Sequence, residues 1–245
     1  MLIKSASELG YMREAGLIVR ATKIKIKDAI KPGVSTAELD KLAEKEIRRL
    51  GGLPSFKGLY GFPATICASL NEEIVHGIPS KRKITSGDIV SIDVGAVVEG
   101  FHSDSAFTVA VGKVSQRNQA LIDDTAESLR RGIQQAKSGA RVGDISAAVQ
   151  DYGERKGYGV VRQYVGHGVG RALHEEPQIP NYGVAGRGPL LKEGMTIAIE
   201  PMLNLGTWET KVQDDNWTVV TADGELSAHF EDTIAITSIG AEILT

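Results

Sequence analysis

From Ser5 onward, apolar residues recur at helical spacing (Leu9, Met12, Ile18, Val19), and the pattern predicts a helix to about Ile30, where Lys31-Pro32-Gly33 stops it. Ser5-x-x-Glu8 heads it as a capping box, because a serine oxygen can accept an N-terminal amide hydrogen while the glutamate reaches back to the cap. A second box, Ser35-x-x-Glu38, opens a second helix, whose Leu39, Leu42, Ala43, Ile47 and Leu50 repeat until Gly51-Gly52. The pattern then changes. Residues 89–94 (Ile-Val-Ser-Ile-Asp-Val) and 106–111 (Ala-Phe-Thr-Val-Ala-Val) are short and rich in β-branched residues, with a glycine-containing turn between them, as in an antiparallel pair.

The same order returns: a helix near Gln116 to Lys137, another from about Asp144 to Lys156, then strands around Thr196 to Glu200 and Phe230 to Thr237. Lys31-x-Gly33 followed by Glu38-Leu39 has its echo in Lys137-x-Gly139 followed by Asp144-Ile145. Four elements repeated in one order predict an α+β fold with pseudo-twofold related halves, about 1–115 and 116–245, within a single domain spanning 1–245.

Composition narrows the function classes. At 245 residues, 42% hydrophobic and 24% charged, the chain can bury a full core. A formal net charge of −3, with no long Lys/Arg block, gives no support for nucleic acid or an anionic membrane as partner. The lone cysteine, Cys67, can form no internal disulfide, which fits a reducing, cytoplasmic setting. There is no signal-peptide pattern, and no run approaches the roughly 18 apolar residues of a membrane span.

Two strands carry acids where a core should be apolar. Asp93 interrupts 89–94 and Glu200 closes 196–200, positions at which burial disfavours an unpaired anion. Asp104 and Glu231 stand at the predicted starts of the following strands, so each half supplies two acids from equivalent places. Taken singly, each acid reads as a surface turn or an ion pair. Together, four carboxylates would repel one another and raise their own pKa values unless cations intervened, and two divalent ions would balance them. Oxygen ligands with one imidazole suit Mn, Fe, Co or Zn. The imidazole candidate is His167, in Gly166-His167-Gly168-Val169-Gly170, with His174 seven residues later.

These residues resemble the type I methionine aminopeptidases, within the group sharing the pita-bread fold. The similarity is carried by 164–177 (Tyr-Val-Gly-His-Gly-Val-Gly-Arg-Ala-Leu-His-Glu-Glu-Pro) with Asn181-Tyr182, by Asn71-Glu72-Glu73 leading to His76-Gly77-Ile78-Pro79, and by Ile92-Asp93-Val94, Asp104, Ile199-Glu200-Pro201-Met202 and Glu231-Asp232-Thr233, in order over most of the chain. The resemblance implies an antiparallel sheet covered by helices and two divalent ions. It implies that Asp93 binds one ion, Asp104 and Glu231 bridge both, and His167 and Glu200 complete the other. Such ions lower the pKa of a bound water from about 15.7 towards about 7 and polarise the scissile carbonyl.

The resemblance also casts Glu200 as the proton shuttle, His174 as a partner of the tetrahedral oxyanion or peptide, and His76 as a group near the leaving amine. It places Phe62, Cys67 and Trp217 along the methionine pocket, with Phe56, Leu59 and Leu173 where many relatives carry other residues. The implied substrates are N-termini of nascent polypeptides with a small second residue, handled by a monomer in the cytoplasm; ribosome docking leaves no mark in the sequence. His102 and His229 stand two residues before the bridging acids and read as exposed or merely polar positions. A proline-specific aminopeptidase would keep the five ligands but usually adds an N-terminal domain, whereas this chain opens at the first catalytic helix. A type II enzyme would add a helical insertion, but only about thirty residues separate Glu200 from Glu231. With no Cys-rich or Pro-rich leader, a short bacterial-style form is expected. A non-catalytic peptide-binding relative would lose ligands.

Overall fold

The computed structural model describes residues 3–245. Helix α1 (Ala6–Ala29) and helix α2 (Thr36–Arg49) begin at the two capping boxes, with Ser5 and Ser35 each accepting the amide of the glutamate three residues on. Three antiparallel strands follow: β1 (Ile66–Leu70), β2 (Ile89–Val98) and β3 (Phe101–Ala110), with β2 between its neighbours. The β2/β3 hairpin turns on Glu99-Gly100, both left-handed (φ 49° and 76°), the backbone a two-residue turn needs to match strand twist.

The second half repeats the plan. Helices α3 (Gln116–Gln135) and α4 (Val142–Arg155) precede β4 (Gly166–Gly168), β5 (Glu175–Ile179), β6 (Thr196–Ile199), β7 (Asp232–Thr237) and β8 (Gly240–Ile243). These five strands form one sheet in the order β8-β7-β6-β4-β5. Helix α4 starts two residues before the expected Asp144, since that carboxylate caps the helix by accepting the Arg141 amide. Each pair of helices packs on the outer face of its own sheet: Ile18, Val19, Ile26, Leu39 and Ile47 against Ile66, Ile92, Val94 and Phe107 in one half, Leu129, Val142 and Ile145 against Ile197, Ile199, Ile234 and Ile236 in the other. The architecture is the pita-bread α+β fold. No helix among the described residues is long and apolar enough to cross a membrane.

Two strand boundaries correct the sequence reading. Asp104 lies well inside β3 rather than at its start, because polar His102-Ser103-Asp104-Ser105 conceals the strand's first half. Glu231 sits one residue before β7.

The halves meet where β3 runs antiparallel beside residues 229–233. Ala106 and Glu231 exchange both backbone hydrogen bonds, at 3.2 and 3.0 Å. On either side threonine hydroxyls make the link. Thr233 Oγ1 accepts the Asp104 amide (3.1 Å) and lies 2.8 Å from the Asp104 carbonyl; Thr108 Oγ1 accepts the His229 amide (2.9 Å) and donates to the His229 carbonyl (2.9 Å). Phe230 fills the gap, packing against the cores of both halves. Thr108 is fully enclosed, so Thr108→Val strands a buried amide and carbonyl. The expected loss is about 2 kcal/mol, seen as a fall in Tm of roughly 5 °C; an unchanged melting curve would show that the hydroxyl does not hold the seam.

Candidate active site

Side chains alternate across a strand, and partners opposite one another share a face. Asp93 pairs with Ala106 and with Cys67, so Asp93, Cys67 and Asp104 all face the inner side of the sheet. Glu231, opposite Ala106 across the seam, joins them. From the second sheet come His167 on β4 and Glu200 at the end of β6. Ligand-type atoms of Asp104, His167 and Glu231 lie within 4.8 Å of one another. His167 Nε2 is 3.6 Å from Asp104 Oδ2, 3.7 Å from Glu200 Oε1 and 4.0 Å from Glu231 Oε1.

The His167 ring is oriented from behind. Its Nδ1 donates to the Gly168 carbonyl at 2.9 Å, a group that can only accept, which leaves Nε2 as the ring nitrogen turned towards the acids. Burial pushes the carboxyls of Asp93, Glu200 and Glu231 well above their usual range, and the neighbouring acids push them further. Asp104 is also raised by burial, less strongly, because His167 and the Thr233 hydroxyl pull it down. Asp93 Oδ1 is buried with no hydrogen-bond partner among the described residues. An orphaned carboxylate oxygen among mutually repelling acids, with an imidazole nitrogen turned towards them, fits hard divalent cations.

The acids form one wall of a cavity of about 470 Å³. Its apolar end is built from Phe56, Phe62, Cys67 and Leu173, with Leu59 and Trp217 packed against them. Phe62 and Trp217 meet edge to face at 5.1 Å. Phe56 enters only because Gly95 has no side chain: a Cβ there would lie 2.8 Å from the Phe56 ring. Burial raises the Cys67 thiol well above its ordinary value, leaving a neutral, apolar lining group. His76, with a left-handed backbone (φ 61°), stands beside Trp217 and Tyr164. His174 lies 4.5 Å from His167, ring to ring, and stacks on Tyr60. Burial lowers His174 to about 4, helped by His167, His76 and His102 alongside, which disfavour a further positive charge, so it is a neutral hydrogen-bonding group at neutral pH.

Of the two histidines that precede the predicted bridging acids, His229 departs from the sequence reading and His102 holds a polar position. His229 is not exposed: it is 2% accessible, its Nε2 is 3.7 Å from Glu200 Oε2, and burial lowers it to about 3. His102 is half-buried, with Nδ1 hydrogen-bonded to Ser55 Oγ. Both share a strand face with the acid two residues on, but period-two spacing gives direction and not depth. Tyr60 and Gln178, which also line the cavity, carry no sequence signal of their own, and neither does Lys4, whose Nζ holds Glu175 at 2.7 Å.

Fold and site together define a metallohydrolase, with a carboxylate-rich cation centre sunk in the seam of two pseudo-symmetric halves. The sequence profile of Metallopeptidase family M24 matches residues 10–238, and the chain belongs to that family. It is 55% identical to a methionine aminopeptidase 1 of Bacillus subtilis, covering 100% of this chain and 99% of that protein. The crystal structure of a methionine aminopeptidase from Thermotoga maritima superposes with a TM-score of 0.99 at 47% identity, covering 100% of this chain and 99% of that one. A prolidase from Pyrococcus furiosus shares the fold more distantly, with a TM-score of 0.82 at 26% identity; the match covers 99% of this chain and 65% of the prolidase.

The raised carboxyl pKa values carry a stability consequence. Without metal, the folded site holds protons that the unfolded chain has released, so their contribution is full below about pH 4 and is lost as pH rises through the raised values. Bound cations remove that penalty. The gap in Tm between metal-loaded and chelated protein should therefore widen from about pH 5 to about pH 8; a gap that narrows would contradict the mutual repulsion of these acids.

Proposed function

We propose that this metallopeptidase removes the N-terminal methionine from newly made proteins, using Asp93, Asp104, His167, Glu200 and Glu231 to hold two divalent ions. The observation that carries the reading is that one cavity joins this carboxylate cluster to a closed apolar end of Phe62, Cys67, Leu173 and Trp217, suited to an unbranched thioether. The relatives named above, methionine aminopeptidases matched over their full length, support the same activity.

When bound, the ions supply Lewis acidity and a water activated for attack on the first peptide bond. The remaining work falls to the side chains. Glu200 is assigned the proton transfer, taking a proton from the attacking water and returning it to the leaving amine. Neutral His174 offers a hydrogen bond to the carbonyl oxygen as its charge develops. His76, kept neutral by burial beside Trp217, is assigned to the leaving group. The acids at the cavity wall also receive the substrate's α-ammonium, which favours a free N-terminus over an internal peptide bond.

Ligand chemistry admits Mn, Fe, Co or Zn, and availability decides among them. Residues 1–245 act as one catalytic domain, a monomer in the cytoplasm, on nascent chains with a small second residue. The shared fold with prolidases makes a proline-specific activity the second reading, and the substrate test separates the two.

Purified protein should release methionine from Met-Ala-Ser and leave Ala-Pro-Ala intact, losing activity with a chelator and regaining it with Mn or Co. Cleavage of the Ala-Pro peptide alone would move the chain to the proline-specific branch. Asp104→Ala and Glu231→Ala should abolish metal loading and turnover together. His174→Ala should keep its metal while kcat falls by roughly 10²-fold or more, the usual cost of losing an oxyanion donor; loss of metal in that variant would assign His174 a different role. Phe62→Ala should raise KM for methionyl peptides with metal content unchanged.

A further inference from the structure

Behind the carboxylate cluster, a second set of charges faces the other way. Side chains alternate along the strand, so where Asp104 turns to the cavity Ser105 turns to the back, and Asp232 likewise turns away from its neighbour Glu231. Helix α1 lies over this back face, with Ser103 Oγ donating to the Met12 carbonyl at 2.9 Å. From α1, Lys23 reaches inward. Its Nζ donates to Ser105 Oγ and stands 3.6 Å from Asp232 Oδ1, and each of the two charged side chains keeps only 19% of its surface exposed. Asp232 Oδ1 is also 3.1 Å from Ser105 Oγ and 3.2 Å from Thr245 Oγ1.

Pairing across such a buried face is needed for either charge to persist there, but the pair does more than satisfy itself. Asp232 is a fifth acid, one residue from Glu231, and Lys23 offsets it. With the two cancelling, the cavity acids Asp93, Asp104, Glu200 and Glu231 present a formal charge of −4, which two divalent cations neutralise. Removing either partner leaves a net charge one strand-thickness from the site, in surroundings where solvent screening is weak.

We propose that Lys23 and Asp232 form a back-face charge pair that sets the affinity of the cavity acids for divalent cations. This rests on the ligand set given above. The pair acts through the field it creates at the ligands, and touches neither substrate nor the reacting atoms.

The test is calorimetric titration of metal-free protein with Mn²⁺ at about pH 8, on wild type, Lys23→Met, Asp232→Asn and the double variant, with Tm of each metal-free form read alongside. Asp232→Asn should weaken the Mn²⁺ Kd by about tenfold, Lys23→Met should tighten it by a similar factor, and the double variant should return to within about threefold of wild type. A merely structural role would make both single variants weaken binding together with a drop in Tm. That pattern, or no shift in either, would overturn the proposal; should Lys23→Met not fold, Asp232→Asn and the double variant still decide it. Wild type binding no Mn²⁺ at all would instead overturn the ligand set on which the pair depends.

Discussion

Four carboxylates facing one another out of water form the constraint to which this molecule answers. Burial and mutual repulsion both oppose their ionisation, and among the described residues no lysine or arginine lines the cavity to relieve them. The surroundings are arranged to hold the acids in place in spite of that cost. Thr233 grips Asp104, Asn181 holds the Glu200 carbonyl at 3.0 Å, and the Ala106 ladder fixes Glu231. Cations turn this stored repulsion into binding energy, which is why a site poor for a folded apoprotein is good for a metallopeptidase.

The same constraint explains the division of the molecule into two halves. A single sheet could place two acids on one face only by interrupting its own core. Here each half keeps a largely apolar outer face against its helices, and the acids are confined to the inner face nearest the seam. The cavity opens at that seam, and its apolar end is roofed by loops outside the duplicated plan: Phe56 to Phe62 from one side, Leu173 and His174 from another, Trp217 from a third. Duplicated elements hold the acids, and the added loops shape the pocket.

Much of this was legible from residue order. The capping boxes at Ser5 and Ser35 marked two helix starts to the residue, because a cap is a local hydrogen bond that needs no tertiary partner. The strand pairs were visible through β-branched runs, and the acids through their intrusion into those runs. What escaped was whatever depended on the other half of the chain. Polar residues 102–105 hid the first half of β3 because their partners are Ser55, Met12, Lys23 and Thr233, all distant in sequence. His229 looked exposed because its burial comes from packing across the seam. Arg141 gave no cap signal because the capping oxygen belongs to Asp144.

The seam also bears on how the two halves must align. Asp104 and Glu231 reach the cavity only in the one register that sets Ala106 opposite Glu231. A slip of a single residue would reverse the facing of every side chain on the shifted strand and turn its acid to the helix-covered back. Such a misassembled molecule would lose an acid from the cavity wall and bury an unpaired charge on the opposite face. The register of the seam is therefore also the register of the acid cluster, and only one alignment of the two halves brings all four acids to one place.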